Sequence, residues 1–285
     1  MSSEWHARRV TCGLPTLGKT RMQSLAKFRH SVRVMGVLPT LARSARYAVF
    51  LVRGSAQRRR TRRLLAAASI EDRFTRIYES NHWANGESVS GDGSSLAYTR
   101  GLRAALPAMF EQFGVRRLLD APCGDFNWMQ HVLRERPLAY TGCDIVAPIV
   151  HRLQEQHGDA QRRFLHLDIT QGPLPPADLW LCRDCLFHLS YDDIGRALDN
   201  FLASGIPYLL TTTHLNPAGH FINTDIRSGD FRRIDLFAAP FGFPRDVLFA
   251  VDDWVAPDPQ RQMCLWSREQ VAAAVAKGGL PAHAH

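Results

Sequence analysis

From Val115 onward, short apolar runs alternate with stretches in which apolar residues recur every three or four positions. The short runs read as buried strands, and the 3.6-residue periodicity reads as amphipathic helices laid across them. This alternation predicts βαβ units, and hence a parallel sheet with helices on both faces. Strands are expected at residues 117–121, 139–144, 163–168, 179–183 and 208–213, with two more at 247–251 and 262–266 before a last helix. The helices between them have clear punctuation. Asp125 reads as the N-cap of a helix over 126–136, and Pro148 stands in the first turn of a helix ending at Gly158. Ser190 with Asp193, and Ser267 with Gln270, have capping-box spacing. The fold class is therefore α/β, a doubly wound, mostly parallel, seven-stranded sheet with a helical N-terminal extension.

That extension has two parts. Residues 64–114 predict a helix, a polar loop at 81–95 rich in turn residues, and a second helix. The second helix carries Leu96, Leu102, Leu106, Phe110 and Phe113 on one face and stops at Gly114, with a kink expected at Pro107. Residues 1–63 form a basic leader in which Val32, Met35, Leu38, Leu41, Ala45 and Val49 fall near helical spacing among arginines. Such a leader fits a surface helix in peripheral contact with an anionic membrane, a poorly ordered extension, or a start codon placed upstream of Met22 or Met35. The catalytic body is expected over residues 115–280.

Charge changes the picture only when it is divided along the chain. The net +8 arises in the leader, where fifteen Lys or Arg face Glu4 alone; beyond residue 63, twenty basic residues face twenty-six acidic ones. An acidic body excludes a field that would grip nucleic acid. The longest apolar run in the leader, from Tyr47 to Val52, is far below the ~20 residues of a membrane-spanning helix. Six scattered cysteines without a secretory leader fit a reducing cytoplasm better than a disulfide scaffold. Cys182 and Cys185 are formally C-x-x-C, but no second pair stands at zinc spacing, so no metal is expected and they read as small buried hydrophobes.

The candidate chemistry lies in three acids, Asp120, Asp144 and Asp168, spaced 24 residues apart at predicted strand ends. Each step is one strand, one helix and their loops, so all three carboxylates are expected on the same edge of the sheet, where open α/β folds bind ligands. After the first comes a tight turn, Asp120-Ala121-Pro122-Cys123-Gly124-Asp125-Phe126. The order of strand, acid, turn and helix resembles the first motif of the class I S-adenosylmethionine-dependent methyltransferases, a Rossmann-like family. Pro122 and Phe126 stand where that motif has its first and third glycines, and only Gly124 remains. The run from Tyr140 to Ile145 resembles the second motif, which implies that Asp144 accepts both ribose hydroxyls. The run from Phe164 to Ile169 resembles the third, which implies that Asp168 takes the adenine amino group and the Ile169 N–H a ring nitrogen. The resemblance covers residues 115–270. A nicotinamide-dependent oxidoreductase also wants an acid after its second strand, but with a fuller glycine fingerprint for the pyrophosphate. A cofactor without phosphates, S-adenosylmethionine, does not need it. A non-catalytic nucleotide-binding scaffold on the same fold is a further alternative.

After the fourth strand, Arg183-Asp184-Cys185-Leu186 replaces the N/D-P-P-Y/F stretch of relatives that methylate DNA or protein amides. The expected acceptor is a small molecule or a sugar- or lipid-linked intermediate. His188 is the candidate base or substrate-orienting residue, Asp184 its partner, and Arg183 a counter-charge for an anionic group. In the loop, Ser90, Ser94, Thr99 and Arg100 are candidates to hold the cofactor carboxylate, and Trp83 to stack on its sulfonium or roof the site. The polar stretch 214–235 is expected to form another pocket wall.

Overall fold

The computed structural model describes Ala66, residues 69–83 and residues 85–279; expectations for the leader lie outside the described residues. Helix α1 (Ile70–Glu79) starts at Ser69, whose hydroxyl accepts the Asp72 N–H at 2.9 Å. A loop with one 3-10 turn leads to α2 (Arg100–Gln112), which runs through Pro107 without interruption. The body then follows: β1 (Arg117–Asp120), α3 (Met129–Glu135), β2 (Ala139–Asp144), α4 (Ala147–His157), β3 (Arg162–His166), β4 (Leu179–Cys182), α5 (Tyr191–Ser204), β5 (Tyr208–His214), β6 (Phe249–Asp252), β7 (Arg261–Ser267) and α6 (Arg268–Lys277).

The strands make one sheet in the order β3-β2-β1-β4-β5-β7-β6. The pairs among β1 to β5 are parallel, whereas β7 runs antiparallel to both β5 and β6. This is a Rossmann-like sheet, doubly wound, with its order reversing between β1 and β4. At that reversal the connections leave in opposite directions, and a crevice opens at the carboxyl ends of the strands.

Side chains alternate between the faces with period two, and each face carries its own core. Leu118, Leu179, Leu181 and Leu210 pack with α2, α3 and α4, while Leu119, Trp180, Cys182 and Leu209 pack with α5 and α6. The near-continuous apolar strands follow from this double burial. Both expected caps form: Ser190 accepts the Asp193 N–H, and Ser267 and Gln270 complete a reciprocal box.

Two boundaries that differ from expectation bear on the site. Strand β3 ends at His166, because Asp168 is occupied in a turn, where its carboxylate accepts the N–H and hydroxyl of Thr170. Helix α3 begins at Met129 rather than Phe126, and Asp125 is not its cap. Phe126 adopts a left-handed φ of 62°, which no helix start can use. Its ring is 1% exposed and sits among Tyr140, His157 and Phe164. The backbone shape that a glycine would permit is thus kept by a residue whose burial holds it there.

Candidate active site

The carboxyl ends of β1 to β4 border a cavity of about 570 Å³, walled on its other sides by α1, the loop before α2 and the β6–β7 connection. That size suits a small-molecule site. One half is built by the turns after β1, β2 and β3. In the turn after β1, Pro122 has no N–H, and every N–H from Cys123 to Asn127 is already engaged within the protein. Cys123 and Phe126 donate to the carbonyls of Cys143 and Cys123. Gly124 donates to Asp144 Oδ2 at 3.1 Å, Asp125 to Ser90 Oγ at 3.0 Å and Asn127 to Asp125 Oδ1 at 3.3 Å. Gly124 has φ of 54°, and a Cβ there would run into Ser90.

Asp144 receives one backbone N–H on each oxygen, from Gly124 and from Val146, the latter at 3.0 Å. A carboxylate offers about four lone-pair positions, so each oxygen keeps one for a further donor. Burial pushes the Asp144 carboxyl up to about 6, with the Val146 and Gly124 N–H groups working against the rise. Asp120 is 3% exposed and accepts the Tyr140 hydroxyl at 2.7 Å. Burial pushes it up to about 7, opposed by that hydrogen bond and by the Arg183 charge. Asp168 is half-buried on the same wall, and its second oxygen accepts the Gln171 amide.

The other half centres on a buried network of four charges. Arg183 is bidentate on Asp253, at 2.9 and 3.0 Å, and donates to the Gly93 carbonyl at 2.8 Å. Arg261 meets Asp184 Oδ2 at 2.9 Å and the Asp253 carbonyl at 2.8 Å. Burial works to raise the Asp184 carboxyl, but Arg183, Arg261 and His188 outweigh it and hold it below the usual carboxylate range. Asp184 has φ of 53°, and its N–H donates to Thr212 Oγ1 at 2.9 Å. His188 donates from Nδ1 to the Asp230 carbonyl at 2.8 Å. A carbonyl only accepts, so this bond leaves the lone pair on Nε2 of the neutral ring. Burial lowers the His188 pKa and favours that neutral form.

Most of the candidate residues from the sequence border the cavity: Asp120, Pro122, Cys123, Gly124, Asp144 and Ile145, then Asp168, Ile169, Arg183, Asp184, His188 and Trp83. Ala121 and Asp125, expected to border it with them, do not. Ala121 is fully buried, its carbonyl taking the Trp180 indole N–H. Asp125 turns outward to accept the Val89 N–H. Thr99 bonds back to the Ser95 carbonyl and Arg100 is exposed, so neither borders the cavity, whereas Ser90 and Ser94 do. Arg183, expected as a counter-charge for a ligand, has its fork occupied by Asp253.

Sequence reasoning missed Arg261 and Asp253, and within the stretch 214–235 expected as a wall it did not single out Phe231, the residue of that stretch that borders the cavity. Arg261 opens β7, and because β7 runs backwards its first residue, not its last, reaches the carboxyl edge. The signal was present: no helical stretch separates 247–251 from 262–266, which makes them a hairpin. Among the described residues there is no cluster of His, Cys, Asp or Glu able to hold a metal ion, and no helix long and apolar enough to cross a membrane.

No family model and no curated protein matches the chain. Solved structures do. The 1,6-didemethyltoxoflavin-N1-methyltransferase of Burkholderia thailandensis, with its substrate and S-adenosylhomocysteine bound, is 19% identical, with a TM-score of 0.49 over 69% of this chain and 86% of that one. The magnesium protoporphyrin IX methyltransferase of Synechocystis PCC 6803, with bound S-adenosylmethionine, is 15% identical, with a TM-score of 0.48 over 71% and 99%. Human N-acetylserotonin methyltransferase, in complex with S-adenosylmethionine, is 14% identical, with a TM-score of 0.46 over 68% of this chain and 58% of that one. The chain thus spans less than two thirds of the human protein's length. Strand order and a reversed β7 make the sheet of this chain Rossmann-like. At these identities the likeness is one of fold, and residue roles rest on the geometry above.

Proposed function

We propose that the protein is an S-adenosylmethionine-dependent methyltransferase acting on a free small molecule. The observation that carries this reading is the turn after β1. A dinucleotide needs unpaired N–H groups there to hold its pyrophosphate, and from Cys123 to Asn127 all of them are engaged. The adjoining Asp144 keeps acceptor positions suited to two ribose hydroxyls, and Asp168 keeps one suited to an amino group. When bound, S-adenosylmethionine supplies an electrophilic methyl on a sulfonium. Asp120, poised near neutrality by burial, becomes an anion when a cation lies beside it, and so favours the ammonium of the amino-acid end. Ser90 and Ser94 border the same region. His188 Nε2 accepts the proton released by the acceptor, and the walls hold acceptor and methyl group in line with little water between them.

Isothermal titration with S-adenosylhomocysteine and with NAD tests the reading. Binding of the adenosyl compound and none of NAD is expected; the reverse overturns it. Asp144→Ala removes the acceptor for two hydroxyls, and should weaken that binding about a hundredfold. Unchanged affinity refutes the assigned role.

A further inference from the structure

Resting on the methyl-transfer reading, we propose that the β4 half of the cavity receives a neutral, planar aromatic acceptor whose hydroxyl meets His188. Four rings gather there from three distant parts of the chain, Trp83, the adjacent Phe187 and His188, and Phe231. His188 lies 5.4 Å from Trp83, 4.6 Å from Phe187 and 5.8 Å from Phe231 between ring centroids, at tilts of 38° to 56°. Such tilted faces and edges favour a flat π-system over a saturated one. Phe231 borders the cavity yet is 54% exposed. An exposed phenyl ring on the cavity wall offers an apolar face that a flat ligand can cover.

Charge narrows the class further. Arg183 and Arg261 are matched by Asp184 and Asp253, so this network presents no net charge to the cavity, and the buried Arg232 does not border it. Asp92 and Asp258, the other carboxylates on the wall, are exposed and screened by water. Neither an anion nor a cation gains a free counter-ion. The hydroxyl is specified by His188. With Nδ1–H fixed on Asp230, Nε2 offers a lone pair to an O–H, and a phenolic proton passes to imidazole more readily than an alkyl one. In the step, the hydroxyl oxygen forms a bond to the methyl carbon as the carbon–sulfur bond breaks with its electron pair going to sulfur. The hydroxyl proton goes to Nε2 and afterwards to water.

The test uses 2-naphthol and its saturated counterpart decahydro-2-naphthol, titrated with and without S-adenosylhomocysteine, against the wild type and Phe231→Ala. The aromatic probe should bind about tenfold tighter than the saturated one. Phe231→Ala, at an exposed position, should lose most of that preference and keep its S-adenosylhomocysteine affinity. Incubation with labelled methyl donor should give 2-methoxynaphthalene. Equal affinity for the two probes, or an unchanged preference in Phe231→Ala, overturns the proposal while the cofactor reading stands. Failure of S-adenosylhomocysteine to bind overturns the methyl-transfer reading, and the reaction proposed here falls with it.

Discussion

The two halves of the cavity are built on opposite plans. Around β1, β2 and β3, the proposed function falls to carboxyls at or just beyond strand tips, held within one short stretch of chain: Asp120 by Tyr140, Asp144 by Gly124 and Val146, Asp168 by Thr170. Around β4, it depends on partners that meet only in the folded chain; Arg183 and Asp253 are 70 residues apart and Arg261 and Asp184 are 77. The first plan leaves carboxyls short of counter-charge, and burial lifts Asp120 and Asp144 toward neutrality. The second pairs the charges on its wall within the protein, Arg183 with Asp253 and Arg261 with Asp184. One half therefore suits a ligand that brings positive charge, and the other a ligand that brings none.

The largest effect should come from breaking the pairing. Arg183→Met strands Asp253, whose side chain is fully buried, and should cost about 3–5 kcal/mol, lowering the melting temperature by about 10 °C. A shift of only a degree or two in thermal unfolding would remove the distinction between the halves. His188→Gln comes next, with a fall in kcat of about a hundredfold and little change in folding. The neutral ring is the working form and burial holds its pKa below the ordinary 6.5. The wild-type rate should therefore stay level as pH falls to that value and drop only beneath it, and the variant should lack that acid limb.

Asp120→Asn should move the other way. The folded carboxyl titrates near 7 against an ordinary 3.8, so the folded state binds its proton more tightly. Its favourable contribution is complete below 3.8 and is withdrawn as pH rises toward 7. Removing the charge should therefore stabilise the ligand-free protein at pH 8, by up to on the order of 4 kcal/mol before local relaxation, while weakening S-adenosylhomocysteine binding. Destabilisation at that pH would show that Asp120 is paired after all. The smallest effect is expected at Gly93. A Cβ there would stand 2.9 Å from Asp184 and 3.2 Å from Arg261, so Gly93→Ala should cost about 1 kcal/mol and disturb acceptor binding more than cofactor binding.

The same division governs what the sequence disclosed. Strand–helix alternation and the 24-residue phasing of Asp120, Asp144 and Asp168 are local regularities, and they led to the sheet and to one wall of the cavity. His188 and Asp184 were found because they follow a strand. Phe231 was hidden in a long irregular segment without periodicity. Arg261 was hidden because the habit of searching after strands fails for a strand that runs the opposite way. Phe126 misled on the start of α3: a bulky residue in a left-handed turn looks like the first residue of a helix until its ring is seen in the aromatic core. Asp125 was read as a cap for the same reason.

The reversal of β7 reaches beyond Arg261. It delivers a hairpin connection, residues 254–260, to the rim of the cavity, which Asp258 borders. A connection of this kind lengthens or shortens without altering any ladder bond of the sheet. Evolution and protein engineering thus have the same handle on this scaffold: changing the size of the guest by editing one hairpin, while Asp120, Asp144 and Asp168 stay untouched at the far end.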